Sequence, residues 1–217
     1  IPLIEQIERH VAELHEIIVV DDHSPDGTWQ VVSERAANDP KIRLIDRTTE
    51  RGLTSALNRG ITEARGNVLA WMDCDLSMPP AVLPALLDRL ADHDLAAGSR
   101  YVPGGRDAGH SWTARTASRM ICGFAAMVLN SSIRDQTSGF IAAWKKTFDG
   151  LKLRGHYGEY CIDMFWRLCR RGARICEVPY TFEPRAWGES KTTGSMLEFC
   201  RNGIRYFWLV IRLRLGQ

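Results

Sequence analysis

No stretch of the 217 residues is apolar for long enough to cross a bilayer. The longest apolar run, 206–211, is far short of the roughly 20 residues such a span needs. No signal-peptide pattern opens the sequence, because residues 1–14 already carry apolar side chains at helical spacing (Leu3, Ile4, Ile7, Val11, Leu14). The six cysteines form no C-x-x-C pair, and no histidines sit at zinc-ligand spacing. They read as buried, reduced thiols of a cytosolic protein rather than as a disulfide or metal framework. There is no G-x-G-x-x-G after any strand, which argues against a dinucleotide-dependent dehydrogenase. Net charge is only +2, too little for a global field that would steer the chain to nucleic acid. Internal repeats and low-complexity tracts are absent.

What is present is an alternation of strands and helices. A helix over 2–14 precedes a strand at 17–20. A loop over 21–27 leads to a helix over 28–38, and a second strand covers 41–45. After Arg51-Gly52 comes a helix over 53–64, then a third strand over 68–72. Pro79-Pro80 begins another helix, as proline suits a first turn, and a fourth strand covers 95–97. Short, continuous apolar strands between helices predict an α/β fold with a mostly parallel, covered sheet. Beyond Gly98 the pattern loosens. A Gly-rich charged loop spans 101–110, helices span 117–129 and 160–170, and strands span 140–144 and 175–182. A polar loop spans 183–193, and a final helix spans 196–215. The division that follows is one domain over 1–195 and a C-terminal amphipathic helix over 196–217.

Asp73-Cys74-Asp75 is the first candidate site. It stands where an apolar strand ends, and ligands of open α/β sheets bind beyond the carboxyl ends of strands. Carboxylates at i and i+2 can reach one ion, and hard oxygens suit Mg²⁺ or Mn²⁺ on a diphosphate. Asp21-Asp22-His23-Ser24-Pro25-Asp26-Gly27-Thr28 also follows a strand. There Asp22 is a candidate acceptor for a nucleoside. Asp26, Gly27 and Thr28 read as turn and helix-cap residues, and His23 reads as an exposed loop residue.

Seven motifs in order carry a resemblance: Val20-Asp-Asp-His-Ser-Pro-Asp-Gly-Thr28, Arg51-Gly-Leu-Thr-Ser-Ala-Leu-Asn-Arg-Gly60, Met72-Asp-Cys-Asp-Leu-Ser-Met-Pro-Pro80, Gly98-Ser-Arg-Tyr101, Asp135-Gln-Thr-Ser-Gly-Phe140, Glu177-Val-Pro-Tyr-Thr-Phe182 and Arg185-Ala-Trp-Gly-Glu-Ser-Lys191. Together they resemble family 2 glycosyltransferases of the GT-A fold, and more narrowly the dolichyl-phosphate mannose synthases and related polyprenyl-phosphate glycosyltransferases. The resemblance implies an inverting transferase that moves a sugar, mannose from GDP-mannose or another sugar such as glucose from UDP-glucose, onto a polyprenyl phosphate. Asp73 and Asp75 would hold Mg²⁺ or Mn²⁺, with Ser77 in reach directly or through water. Val20, through its backbone, would hold the donor together with Asp22, Asp73, Cys74, Arg100, Arg185 and Lys191. Arg115 and Ser118, within Trp112-Thr-Ala-Arg-Thr-Ala-Ser118, would receive the lipid phosphate. The acceptor phosphate is already ionised, so it needs little general-base help; Asp135 is kept as a base or positioning residue beside the catalytic Asp75 and Arg115, with a structural contact to its own Thr-Ser turn as the alternative. The rival class, a nucleotidyltransferase on a similar sheet, is disfavoured by the Arg185–Lys191 loop.

The family pattern begins with a further strand and a Pro-x-x-Asn-Glu-type turn. Neither precedes Ile1 here, which predicts a missing first strand and a longer natural N-terminus. At the other end, Arg201, Arg205, Arg212 and Arg214 accompany Phe199, Phe207, Trp208, Val210 and Ile211. That composition suits a helix lying on an anionic membrane surface. The alternative is a core-packing helix with a basic outer face. The placement expected is cytoplasmic and peripheral to the cytoplasmic membrane face, with any anchoring domain or subunit lying outside this sequence.

Overall fold

A computed structural model describes residues 1–185 and 196–216, the side chains of 196–202 excepted. Strands β1 (Ile17–Asp21) and β2 (Ile42–Asp46) pair in parallel, joined by helix α2 (Thr28–Asn38). Helix α1 (Pro2–His10) is shorter than its periodicity predicts; the helix stops at Val11, whose backbone is extended. It nevertheless bridges two cores. Ile4 packs with Val32 and Ile42, while Ile7 and Val11 pack against the main sheet.

The main sheet has four strands in the order β3 (Val68–Trp71), β6 (Ile141–Trp144), β4 (Leu95–Ser99), β7 (Ile175–Pro179). Between β2 and β3 lies α3 (Leu53–Glu63), and α4 (Leu83–Asp88) precedes β4. β4 and β7 are parallel, as the sequence predicts, but β6 runs antiparallel to both its neighbours. The reason is where the chain enters. Residues 135–140 lie at the carboxyl end of β4, beside Arg100, so a strand starting there can only run back. Periodicity reports that a strand exists and carries no information on its direction.

Two other predicted boundaries move. Helix α5 spans Trp112–Leu129, starting five residues early because the Ser111 hydroxyl caps it by accepting from the Ala114 amide. The strand predicted over 175–182 breaks at Tyr180 into β7 and a two-residue β8 (Thr181–Phe182). β8 pairs with β5 (Arg106–Asp107), inside the segment expected to be loop.

β4 is buried along its whole length, so it is built from small residues between two cores. Gly98 is required there, since a Cβ would meet Phe140 and Tyr180 at 3.0–3.1 Å. On one face Leu95, Ile141 and Ala143 pack against Met164, Phe165 and Leu168 of α6 (Tyr160–Arg170). On the other face Ala96, Phe140 and Ala142 pack against Leu83 and Leu86 of α4. The C-terminal helix α7 (Met196–Leu215) buries Val210 and Leu213 against Ala125 and Leu129 of α5 and Ile162 of α6.

The cysteines divide between core and surface. Among the described residues five are free thiols; Cys122 and Cys161 are buried, whereas Cys74 and Cys169 are exposed. Phe165 is fully buried at the α6–sheet contact. Replacing it with alanine should cost about 3–5 kcal/mol and lower the melting temperature by roughly 10 °C for a domain this size. Thermal unfolding followed by circular dichroism checks this, and a loss below about 1 kcal/mol would contradict the core assignment.

Candidate active site

The carboxylate pair sits in the turn that follows β3. Asp75 is held from two sides. Its Oδ1 accepts from the Ser77 amide at 3.0 Å and the Ser77 hydroxyl at 2.5 Å, and its Oδ2 lies 2.8 Å from Arg185 Nε. Between them Leu76 takes a left-handed backbone (φ 62°), which leucine rarely adopts. Strain of this kind persists only where the surroundings enforce it, and it collects at ligand-binding turns. Asp73 opens to solvent on one side. Even so, withdrawal from water, and then the charge of Asp75, push its carboxyl above the ordinary range; Arg185, Arg100 and His110 pull it back down.

Ser77 is fully buried, and its hydroxyl is spent on Asp75. In this conformation it orients the Asp75 carboxylate. Cys74 is exposed beside the pair. Among the described residues no three His, Cys, Asp or Glu side chains converge on a metal-sized site. Among the described residues, the hard-oxygen pair this turn offers is Asp73 and Asp75. Two like charges on one turn, one of them held above its normal pKa, form the hard-oxygen set that a divalent cation would neutralise, so the residues fit Mg²⁺ or Mn²⁺.

The second cluster lies at the carboxyl end of β4. Arg100 donates to both oxygens of Asp135, from Nε at 2.7 Å and Nη2 at 2.7 Å, and its amide adds a bond at 3.0 Å. Its Nη2 also donates to Thr137 Oγ1 at 2.8 Å, and Nη1 lies 3.5 Å from Asp107. Asp135 is fully buried. These contacts bear on two expected site residues. Asp135, Thr137 and Asp107 occupy the Arg100 guanidinium. Both oxygens of Asp135 are bound to Arg100, and no solvent reaches it. The structural alternative for Asp135 matches too, since Thr137 Oγ1 lies 3.2 Å from Asp135 Oδ1.

The same network reaches the residues expected to take the acceptor. Ser118 Oγ is 3.2 Å from Thr137 Oγ1, and Arg115 Nη1 donates to the Asp107 carbonyl at 3.0 Å. One turn apart on α5, Arg115 and Ser118 thus hang on the Arg100–Asp135 unit. Near the nucleoside side, Asp22 accepts from Arg47 Nε at 2.8 Å and from the Gly52 amide at 2.7 Å, which fixes its carboxylate behind β1. Val20 is the strand residue two positions before it. Asp26 accepts from the Thr28 amide at 3.0 Å, as a turn residue should, and His23 is taken up by Asp46. Lys191 lies outside the described residues.

Sequence reasoning missed Asp107 and His110. Asp107 is 4% exposed, and both its oxygens lie 3.0 Å from His110 Nδ1. Burial pushes the Asp107 carboxyl up, but His110 and Arg100 outweigh it and hold the group below the usual range. The signal was available in the glycines. A Cβ on Gly105 would lie 2.4 Å from the Ser99 carbonyl, and one on Gly109 would lie 2.5 Å from the Glu183 carbonyl, so both mark close backbone approach around Asp107.

The family profile described as Glycosyl transferase family 2 matches residues 2–151. A Pyrococcus furiosus protein named dolichol-phosphate mannosyltransferase is 37% identical over 192 residues, 87% of this chain and 54% of that protein. The chain thus spans about half the length of that relative. A Micrococcus luteus undecaprenyl-phosphate mannosyltransferase is 36% identical over 93% of this chain and 87% of its own. A solved Mycobacterium tuberculosis glucosyl-3-phosphoglycerate synthase, in complex with Mn²⁺, UDP-glucose and phosphoglyceric acid, superposes with a TM-score of 0.72. It covers 99% of this chain and 74% of its own at 17% identity, and that likeness carries the GT-A fold.

Replacing Asp135 with asparagine should strand the buried Arg100 charge and cost about 3–5 kcal/mol in urea unfolding. A variant of native stability that had lost turnover would instead make Asp135 a chemical participant.

Proposed function

The chain belongs to glycosyl transferase family 2, and on that premise we propose that it moves a sugar, mannose from GDP-mannose, onto a polyprenyl phosphate with inversion. The observation that carries this reading is the pairing of a carboxylate turn, Asp73 and Asp75, with a separate cationic and hydroxyl set, Arg115 and Ser118, on α5. Two anionic substrates need such opposed anchors. The names of the Pyrococcus and Micrococcus relatives support mannose and a polyprenyl phosphate.

Asp73 and Asp75 would hold Mg²⁺ or Mn²⁺. Once bound, such an ion neutralises a diphosphate and makes it a better leaving group. Ser77 keeps Asp75 in position for this, and Arg185, now on Asp75 Oδ2, would exchange that carboxylate for a phosphate oxygen. Asp22 and the Val20 backbone would hold the nucleoside, with Arg47 and Gly52 fixing Asp22. Arg115 and Ser118 would receive the acceptor phosphate, which at neutral pH is an ionised nucleophile needing no base. Arg100 and Asp135 hold that side in register from behind. The rate gain then comes from holding two anions in line and offsetting their repulsion.

Among the described residues no helix is long and apolar enough to cross a membrane. We also propose that the chain meets its lipid substrate from a membrane surface. Trp112, Met120 and Met127 on α5 and Ile204, Phe207 and Trp208 on α7 are exposed, beside Arg205, Arg212 and Arg214. Phe124 stacks on Phe207 and makes one surface of the two helices. One side of α7 packs on α5 and α6, and the outward side is the one we assign to the membrane. Flotation with anionic vesicles tests this proposal; binding should weaken as salt is raised, and equal recovery with neutral vesicles would count against it.

The enzymatic test is a panel of radiolabelled GDP-mannose, UDP-glucose and UDP-GlcNAc with a polyprenyl phosphate and Mn²⁺. Label should pass to lipid from GDP-mannose, and chelation should abolish the transfer. Asp75→Ala should lower it by at least about 100-fold, the scale of removing one electrostatic anchor of a transition state, with the fold intact. Transfer to sugars or proteins but not to lipid phosphate would overturn the assignment.

A further inference from the structure

The Asp107–His110 pair is built with more care than a surface contact needs. The Ala108 and Gly109 amides both donate to the Phe182 carbonyl, at 2.9 and 3.0 Å. His110 lies flat on the Phe182 ring, with centroids 4.5 Å apart and planes 10° apart. Its amide donates to Asp107 Oδ1 at 3.1 Å, and its Nδ1 is on the same carboxylate. Ring plane and ring rotation are both fixed, and Nε2 on the far side of the ring is left as the one polar atom not turned to Asp107. The imidazole is a third exposed, so this side is not sealed in the core.

The position is the junction of the two anchors. Asp107 holds His110 through its side chain and Arg115 through its carbonyl. The residue after Phe182, Glu183, donates its amide to the Ser77 carbonyl at 2.9 Å, which ties this wall to the Asp75 turn.

We propose that His110 is a phosphate-binding residue of the transfer site, presenting Nε2 to a phosphate oxygen while Asp107 holds Nδ1. The inference rests on the transferase reading and adds a ligand contact to it. Acceptor monoester and donor diphosphate share the chemistry recognised, and kinetics with each separates them.

Two variants divide a ligand role from a structural one. In His110→Asn the amide can take the place of Nδ1 against Asp107 but falls short of Nε2. In His110→Gln it reaches the place of Nε2. A hydrogen bond to a charged group corresponds to about tenfold or more in affinity. We expect His110→Asn to raise KM for the polyprenyl phosphate or for the nucleotide sugar by about that factor, and His110→Gln to stay within about threefold of the parent. The substrate whose KM moves identifies the phosphate. The opposite order, with asparagine tolerated and glutamine not, or no change in either variant, would overturn the proposal. A second measurement does not depend on turnover or on variant folding. In ¹⁵N-histidine NMR of the parent protein, the His110 Nε2 resonance should shift on titration with Mg²⁺–GDP or with farnesyl phosphate in detergent. If no donor supports transfer the catalytic reading fails, yet this shift still decides His110. An Nε2 resonance that moves with neither probe removes it from the site.

Discussion

The ion pair between Arg100 and Asp135 holds the working half of this molecule together. It joins the end of β4 to the start of the segment that becomes β6, 35 positions later, through three hydrogen bonds in a fully buried place. Burying two charges is costly unless every polar group is met. Here the remaining capacity of Arg100 goes to Thr137 and Asp107, and Glu177 of β7 receives the amides of Arg134 and Asp135. The outcome is geometric. The pair makes β6 turn back antiparallel, and it sets Thr137 and Asp107 where Ser118, Arg115 and His110 can attach. A hydrophobic pair of equal volume could fill the space but could not aim those side chains.

The carboxylate turn is organised the other way, by charge left partly unrelieved. Asp73 and Asp75 repel each other across one turn, the Leu76 backbone is held in a strained conformation, and the direct contacts of Ser77 and Arg185 are to Asp75, with Arg185 acting on Asp73 only through its charge. Such a turn favours any cation that can bridge the two carboxylates. The β5–β8 ladder, the stacked His110–Phe182 rings and the Glu183–Ser77 hydrogen bond link this turn to the α5 side, so one continuous set of contacts joins the two anchors.

Much of this was legible in the sequence, for identifiable reasons. Strands such as 17–20 and 68–72 announce themselves because buried strands are short apolar runs, and Asp73-Cys74-Asp75 stands out because it ends one of them. The direction of β6 was not legible, since period-two patterning is the same in either direction. Nor were the jobs of Arg100 and Asp135. Each matches a motif, but the contact between them spans 35 residues and exists only in three dimensions. Ser77 was an expected ligand through the family resemblance alone, and only the folded structure shows its hydroxyl buried on Asp75. Asp107 and His110 were hidden in a glycine-rich stretch that reads as loop, where the strand is two residues long. Gly105 and Gly109 were the available clue, as positions where backbones approach too closely for a Cβ.

In the proposed reaction these two anchors align a nucleotide sugar and a lipid phosphate for direct displacement. The most direct measurement is the structure of the product: purified protein, GDP-mannose, Mn²⁺ and a polyprenyl phosphate, with the lipid fraction resolved by mass spectrometry and its anomeric configuration by NMR. The expected product is a mannosyl-phosphoryl-polyprenol whose anomeric centre is inverted relative to the donor. A product of retained configuration, or release of free mannose with no lipid adduct, would contradict it.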